Sequence, residues 1–252
     1  MTFDARVSPD QGWADPVVGV MGGMGPLAGA TFLRVLTLLT KAASDQEHVD
    51  AILLSHATTP DRTAALTDPN AADPSPVLLA DAQRLEHLGA QIVAVPCNSA
   101  HPFMRGLSKQ VSVPLIDIVD VTARAAAERV RATGKPPTVG VLATEGTRAA
   151  GLYRSALENL GMVPVDATDA EQRVVTHLIY DQVKAGQASD IESLLGLVEG
   201  MVANGCSTVI LGCTELSVAY DEHGLHRDAR IVDSVESLAR ETLRRVGRAA
   251  AR

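Results

Sequence analysis

Short apolar runs of four to six residues, rich in valine and isoleucine, alternate with longer amphipathic stretches from residue 17 to residue 248. Continuous runs of that length read as strands buried on both faces, and the longer stretches read as helices with one apolar side. The pattern predicts strands at 17–21, 51–55, 91–95, 113–117, 138–142, 162–166, 207–212 and 230–233. It predicts helices at 26–42, 76–89, 99–109, 120–133, 147–160, 170–186, 188–204, 214–223 and 234–248. Strand, helix, strand repetition means parallel sheets covered by helices, the α/β class. Residues 1–16 are polar and aperiodic, broken by Pro9, Gly12 and Pro16, and read as a flexible N-terminal extension.

The pattern runs twice. Val17 to Gly25 is echoed by Thr138 to Gly146, and Val113-Pro114-Leu115-Ile116-Asp117 by Ala229-Arg230-Ile231-Val232-Asp233. Cys97 precedes Cys213 by the same interval as Asp117 precedes Asp233. Two similar halves are implied. The expected division gives residues 17–118 plus 231–252 to a first α/β domain and 119–230 to a second, because a chain that ends by repeating its own crossover can return its last helix to the first domain. Gly134-Lys135-Pro136-Pro137 is the clearest local break.

Composition narrows the partners. A length of 252 residues with 46% hydrophobic and 21% charged residues describes a globular protein with a sizeable core. A formal net charge of −8 argues against nucleic acid and anionic membranes, which require clustered Lys and Arg, but leaves an acidic small molecule open because that needs only a local cation. The long uncharged stretch around Val17 to Phe32 is interrupted by glycines and prolines, so neither a signal peptide nor a membrane span is expected. Three cysteines, an odd number, suit a reducing compartment, and the cytoplasm is the expected location.

Cys97 and Cys213 each follow an apolar strand-like run and precede a helix-like one, at the strand end where α/β sheets bind ligands. A helix N-terminus there is expected to ionise a thiol. Cys206, in the Asn204-Gly205-Cys206-Ser207 turn and without a counterpart in the first half, reads instead as a buried core thiol. Gly22-Gly23-Met24-Gly25-Pro26 matches neither dinucleotide nor P-loop fingerprints and reads as an anion-facing loop. No C-x-x-C or H-E-x-x-H occurs, so neither zinc nor a redox disulfide is expected. Arg62, just past a predicted strand, is either a solvated arginine or a bidentate clamp for a carboxylate.

Several blocks, in order, resemble the aspartate/glutamate racemase family, the pyridoxal-phosphate-independent amino-acid racemases, and within it the aspartate-acting members. They are Gly19 to Ala28, Asp45-Gln46-Glu47-His48, Pro60-Asp61-Arg62-Thr63, Pro96-Cys97-Asn98-Ser99-Ala100-His101, Leu142 to Thr147, Ile179 to Gly186 and Gly212 to Ser217. The resemblance implies two pseudo-symmetric α/β domains with mostly parallel sheets, the active site in the cleft between them, and one catalytic cysteine from each. By that resemblance Cys97 and Cys213 transfer protons, and Asn98, Ser99, Thr144, Thr147 and Thr214 hold the α-carboxylate and amino group. Arg62 and Lys184 face a side-chain carboxylate, while Met24 and Glu215 complete the substrate site. One stretch departs: aspartate-specific members carry an Asn-x-Pro segment before Pro-Asp-Arg, and here it reads Ser55-His56-Ala57-Thr58-Thr59, which would reshape the side-chain pocket.

Racemisation needs a base on one face of Cα and an acid on the other, which two thiols across a cleft supply. The expected function is cofactor-independent interconversion of L- and D-aspartate or a related acidic amino acid, with no cofactor and no metal. The expected partners are a small-molecule amino acid and a second copy of the chain in a homodimer. Rival readings are a cysteine-dependent decarboxylase or isomerase of dicarboxylates, a broad-specificity amino-acid racemase, and a non-catalytic amino-acid-binding protein.

Overall fold

The structure, a computed structural model, describes residues 16–104 and 106–250; apart from Pro16, the expected N-terminal extension lies outside them. In the first half β1 (Val18–Gly22), α1 (Pro26–Leu39), β2 (Ala51–Ser55), α2 (Arg62–Thr67), α3 (Ser75–His87), β3 (Ile92–Ala94), α4 (His101–Met104), β4 (Leu115–Ile116) and α5 (Ile118–Thr133) follow in order. In the second half β5 (Thr138–Leu142), α6 (Glu145–Ala149), α7 (Leu152–Glu158), β6 (Val163–Asp166), α8 (Asp169–Thr176), α9 (Ile191–Ala203), β7 (Thr208–Leu211), α10 (Thr214–Glu222), β8 (Ile231–Asp233) and α11 (Ser234–Arg245) do the same.

Each half forms a four-stranded sheet, in the orders β2-β1-β3-β4 and β6-β5-β7-β8, and every pairing is parallel. The repeat seen in the sequence is therefore a repeat of topology. Strands β1, β3 and β7 are buried at every residue, which is why they are continuous apolar runs rather than alternating ones. Gly19 and Gly140, at matching positions, let helices close on the sheets: a Cβ would lie 2.9 Å from Ala90 Cβ at the first and 2.6 Å from Met201 Sδ at the second.

The two halves exchange helices. α5 follows the first sheet but packs on β7, β8 and α7, whereas α11 follows the second sheet and packs on α1 and α5. A single apolar core, with Phe32, Leu36 and Ile116 from the first half and Tyr153, Leu157 and Leu238 from beyond it, continues across the junction. The division expected at residue 231 is corrected at one strand: β8 is hydrogen-bonded to β7, so residues 231–233 belong to the second sheet. We place the junctions at Asp117 and Asp233, where each sheet ends. Both aspartates cap the helix that follows, Asp117 accepting from Val119 and Asp120 N–H and Asp233 from Glu236 N–H.

Some expected helices are broken. The stretch 147–160 divides into α6 and α7 at Gly151, which takes φ 61° in the left-handed region. The stretch 170–186 passes from α8 into a wider π turn over His177–Val183. In place of the helix expected at 99–109, residues 98–104 and 107–109 form short 3₁₀ and α turns. α2, absent from the helices expected by periodicity, is started by Asp61, whose carboxylate accepts from Ala64 N–H at 2.7 Å. No helix among the described residues is long and apolar enough to cross a membrane.

Candidate active site

In both sheets the chain leaves the middle strand in one direction and returns on its other side, so a crevice opens at the carboxyl ends of β1 and β3 and again at those of β5 and β7. These four strand ends supply the Gly22–Gly25 loop, Cys97 to Ser99, Thr144 to Thr147 and Gly212 to Glu215. They converge on one narrow pocket of about 300 Å³. Its walls contain all the expected residues, Met24, Arg62, Cys97, Asn98, Ser99, Thr144, Thr147, Lys184, Cys213, Thr214 and Glu215. Asp61, Thr63, Tyr180 and Gly212 also line it; none is among the expected site residues, although all four lie within the blocks that carry the family resemblance. A larger recess of about 1180 Å³ between α5 and α11 holds neither cysteine.

Cys97, Cys213 and Cys206 are all free thiols and all buried. Cys213 lies at the N-terminal end of α10, and its Sγ donates to Glu215 Oε2 at 3.0 Å. Burial first, and the Glu215 charge second, push this thiol well above the ordinary cysteine range, outweighing the Lys184 cation. The expected ionisation by a helix N-terminus is thus overturned for Cys213: a dry site beside a carboxylate disfavours its thiolate more than a few N–H dipoles favour it. On the facing wall Cys97 Sγ lies 3.7 Å from Ser99 Oγ.

Lys184 Nζ pairs with Glu215 Oε1 at 3.1 Å and stands 5.6 Å from the Tyr180 ring centre. Burial works against its charge, but Glu215 and the two cysteines outweigh that and hold its pKa above the usual lysine value. Gly25 makes room for this pair, since a Cβ there would meet Glu215 Oε1 at 2.8 Å.

Arg62 is 7% exposed. Its Nη1 donates to the carbonyls of Thr59 and Pro60 at 3.2 and 2.9 Å, and its Nη2 to the Met24 carbonyl at 3.0 Å. Met24 therefore acts through its backbone. Arg62 Nε–H is buried with no partner. Because a guanidinium carries five N–H groups, these three bonds leave donors over, Nε–H among them.

The remaining polar groups join the halves. Thr63 donates to Thr144 Oγ1 at 3.4 Å and Thr144 to Thr147 Oγ1 at 3.1 Å, while Thr144 Oγ1 accepts from Thr147 N–H at 3.2 Å as the cap of α6. Tyr153 donates to Asn98 Oδ1 at 2.6 Å, and Asn98 Nδ2 donates to Ser234 Oγ at 3.3 Å. The Asn98 side chain is thus tied to the opposite half. Thr214 Oγ1 lies 3.4 Å from Glu215 Oε2. Among the described residues no group of three or more His, Cys, Asp or Glu side chains is placed to hold a metal ion.

Two parallel sheets of identical order, lining one pocket with a thiol on each wall, define a two-lobed α/β architecture. The Asp/Glu/hydantoin racemase family matches residues 21–242, and the chain belongs to that family. It is an amino-acid racemase. The aspartate racemase of Picrophilus torridus superposes with a TM-score of 0.79 at 26% identity, covering 94% of this chain and 96% of that one. The broad-specificity amino-acid racemase RacX of Bacillus subtilis (strain 168) is 23% identical over 228 residues, 90% of this chain and 96% of that protein. A glutamate racemase from Francisella tularensis in complex with D-glutamate shares the fold, with a TM-score of 0.61 at 14% identity, covering 92% of this chain and 81% of that one.

Proposed function

We propose that this enzyme interconverts the enantiomers of an acidic amino acid, aspartate foremost, by proton transfer at Cα between Cys97 and Cys213 without a cofactor. The observation that carries the substrate class is the orphaned Nε–H of Arg62 on the wall shared with both thiols. A buried N–H without a partner costs about 1–3 kcal/mol, and a side-chain carboxylate accepting from Nε and Nη2 would relieve that cost in a bidentate, charge-assisted pair.

The chemistry follows from the walls. One sulfur as thiolate removes the α-proton from one face, the other as thiol delivers a proton to the opposite face, and the roles exchange for the reverse direction. The carbanion needs donors at the α-carboxylate in place of an electron sink. The hydroxyls running from Thr63 through Thr144 to Thr147, and the backbone N–H groups at Asn98 and Thr214, are the groups at hand. An odd number of cysteines suits a reducing, cytoplasmic setting, and a homodimer is the assembly to be tested by sedimentation.

A second reading is favoured by Lys184. Its charge is already satisfied by Glu215, so one of the two cations expected for a side-chain carboxylate is engaged within the protein, which suits a broad-specificity racemase. The test is α-proton exchange in deuterated water, without added cofactor, across L- and D-amino acids. Fast exchange confined to aspartate and glutamate supports the acidic reading. Comparable exchange of neutral amino acids establishes the broad one, and loss of carbon dioxide or a change of skeleton refutes both.

A further inference from the structure

The residue two places after each cysteine differs in chemistry. Ser99 stands beside Cys97 and Glu215 beside Cys213. A serine hydroxyl can donate to a thiolate, whereas a carboxylate can only accept and so requires S–H on its neighbour. Glu215 is 5% exposed and held on both oxygens, Oε1 by Lys184 at 3.1 Å and Oε2 by Cys213 at 3.0 Å and Thr214 at 3.4 Å. Its orientation is thus set from three sides, with Gly25 leaving the space it occupies.

We propose that Glu215 is a positioning residue that keeps Cys213 as the proton donor of the resting enzyme, so that the two sulfurs enter turnover unequal, Cys97 as base and Cys213 as acid. This rests on the two-cysteine reading above. The charged and titratable groups around Cys213 are Glu215 on its own helix, Lys184 and Tyr180 from the π turn and its end, Tyr153 from α7, and Cys97 and Arg62 across the pocket. Asp61 also lines the pocket but turns an oxygen to Ala64 N–H. Of these, only Glu215 is in hydrogen-bond contact with Cys213 Sγ among the described contacts. The upward displacement of the Cys213 thiol agrees with this arrangement.

The cycle then begins with the enantiomer whose α-hydrogen faces Cys97. The Cys97 thiolate forms an S–H bond as the Cα–H bond breaks, and the electron pair passes into the α-carboxylate. The Cys213 S–H bond breaks as a new Cα–H bond forms on the other face, leaving the pair on the Cys213 sulfur. The product departs from a Cys97 thiol and a Cys213 thiolate. Glu215 disfavours that thiolate, so Cys213 recovers a proton from solvent and Cys97 releases one.

The test needs no substrate, so it stands apart from whether the racemase reading holds. In a Cys97→Ser/Cys206→Ser background, Cys213 labelled with carbon-13 at Cβ is titrated by its chemical shift. Glu215→Gln should lower the midpoint by at least about one pH unit, tenfold more thiolate at a given pH, because an acceptor-only carboxylate becomes an amide able to donate and Lys184 is released toward the sulfur. Lys184→Met in the same background should raise the midpoint by leaving the carboxylate uncompensated. An unchanged or raised midpoint in Glu215→Gln overturns the proposal. Should that variant fail to fold, Glu215→Ala is titrated in its place: a lowered midpoint supports the proposal and an unchanged or raised one overturns it.

Discussion

The Cys97 and Cys213 walls are built on one backbone plan and differ in almost every polar detail. Both sulfurs follow the third strand of a four-stranded parallel sheet. Beyond Cys97 the chain makes a three-residue 3₁₀ turn and the short α4, and its nearest polar neighbour is a hydroxyl. Beyond Cys213 it enters the nine-residue α10, with a carboxylate against the sulfur and a lysine against the carboxylate. The closing aspartates diverge similarly: the Asp117 side chain is 41% exposed, while Asp233 is buried. Duplication conserved what positions a group, and the side chains around it separated what the group can do.

The strongest way to break this comparison is to remove one sulfur at a time. Cys97→Ser or Cys213→Ser should each reduce interconversion by at least about a thousandfold, within the range that general acid–base groups supply, because a serine hydroxyl does not provide a thiolate. Near-ultraviolet circular dichroism should show an intact fold. Activity within a few-fold of wild type in either variant would end the two-base assignment.

Next is Arg62, which belongs to one wall only. Arg62→Leu should lower kcat/KM on aspartate by about 10- to 100-fold, the equivalent of about 1.5–3 kcal/mol for a charge-assisted pair. A neutral amino acid, if turned over, should lose much less. Equal losses on both would mean that this side chain does not read a side-chain carboxylate.

Tyr153→Phe tests the bridge between the walls. It strips Asn98 Oδ1 of the 2.6 Å bond from the opposite half, an unsatisfied buried acceptor worth about 1–3 kcal/mol in a urea titration. A stability matching wild type would show that this hydrogen bond adds nothing to the joining of the halves.

Asp233 sharpens the contrast with Asp117. Burial, aided by the Glu236 charge and opposed by Ser217 and backbone N–H groups, lifts its carboxyl to about 7. The folded protein thus holds this proton more tightly than the unfolded chain does. Its contribution to stability is complete below the unfolded pKa of about 4 and is lost as pH rises through about 7. Asp233→Asn, which retains a helix cap and cannot ionise, should therefore gain on wild type as pH rises from about 4 to about 7, by up to about 4 kcal/mol for a shift of about three units. An advantage that shrinks with rising pH would refute the assignment.

The smallest effect is expected at Cys206, which has no counterpart in the first half. It is buried near Gly140, outside the pocket, and Cys206→Ser should leave turnover within about twofold, the range expected of a residue that touches no reacting group. A larger loss of turnover, with stability unchanged, would place this thiol in the chemistry.

Much of this was legible in the residues. Apolar runs located all eight strands, most plainly β1, β3 and β7, where burial of every residue leaves no room for polar alternation. The paired strand-end cysteines and the Pro60 to Thr63 block placed the pocket walls. Helix breaks were harder: Gly151 takes a left-handed turn and the chain beyond Thr176 widens to a π turn, local choices made by packing that periodicity does not register.

The sequence by itself determined the α/β class, the duplication and the paired cysteines, since these rest on local periodicity and on residue types at strand ends, while Lys184 was marked only by the resemblance to the racemase family. Only the tertiary structure decided that Arg62 spends three bonds on carbonyls yet keeps Nε–H unpaired, and that Glu215 stands between Cys213 and Lys184. Each depends on groups far apart in the chain meeting in a dry interior. There the distance to a partner and the loss of water, neither of which is written in the order of residues, set which charge or proton a side chain can hold.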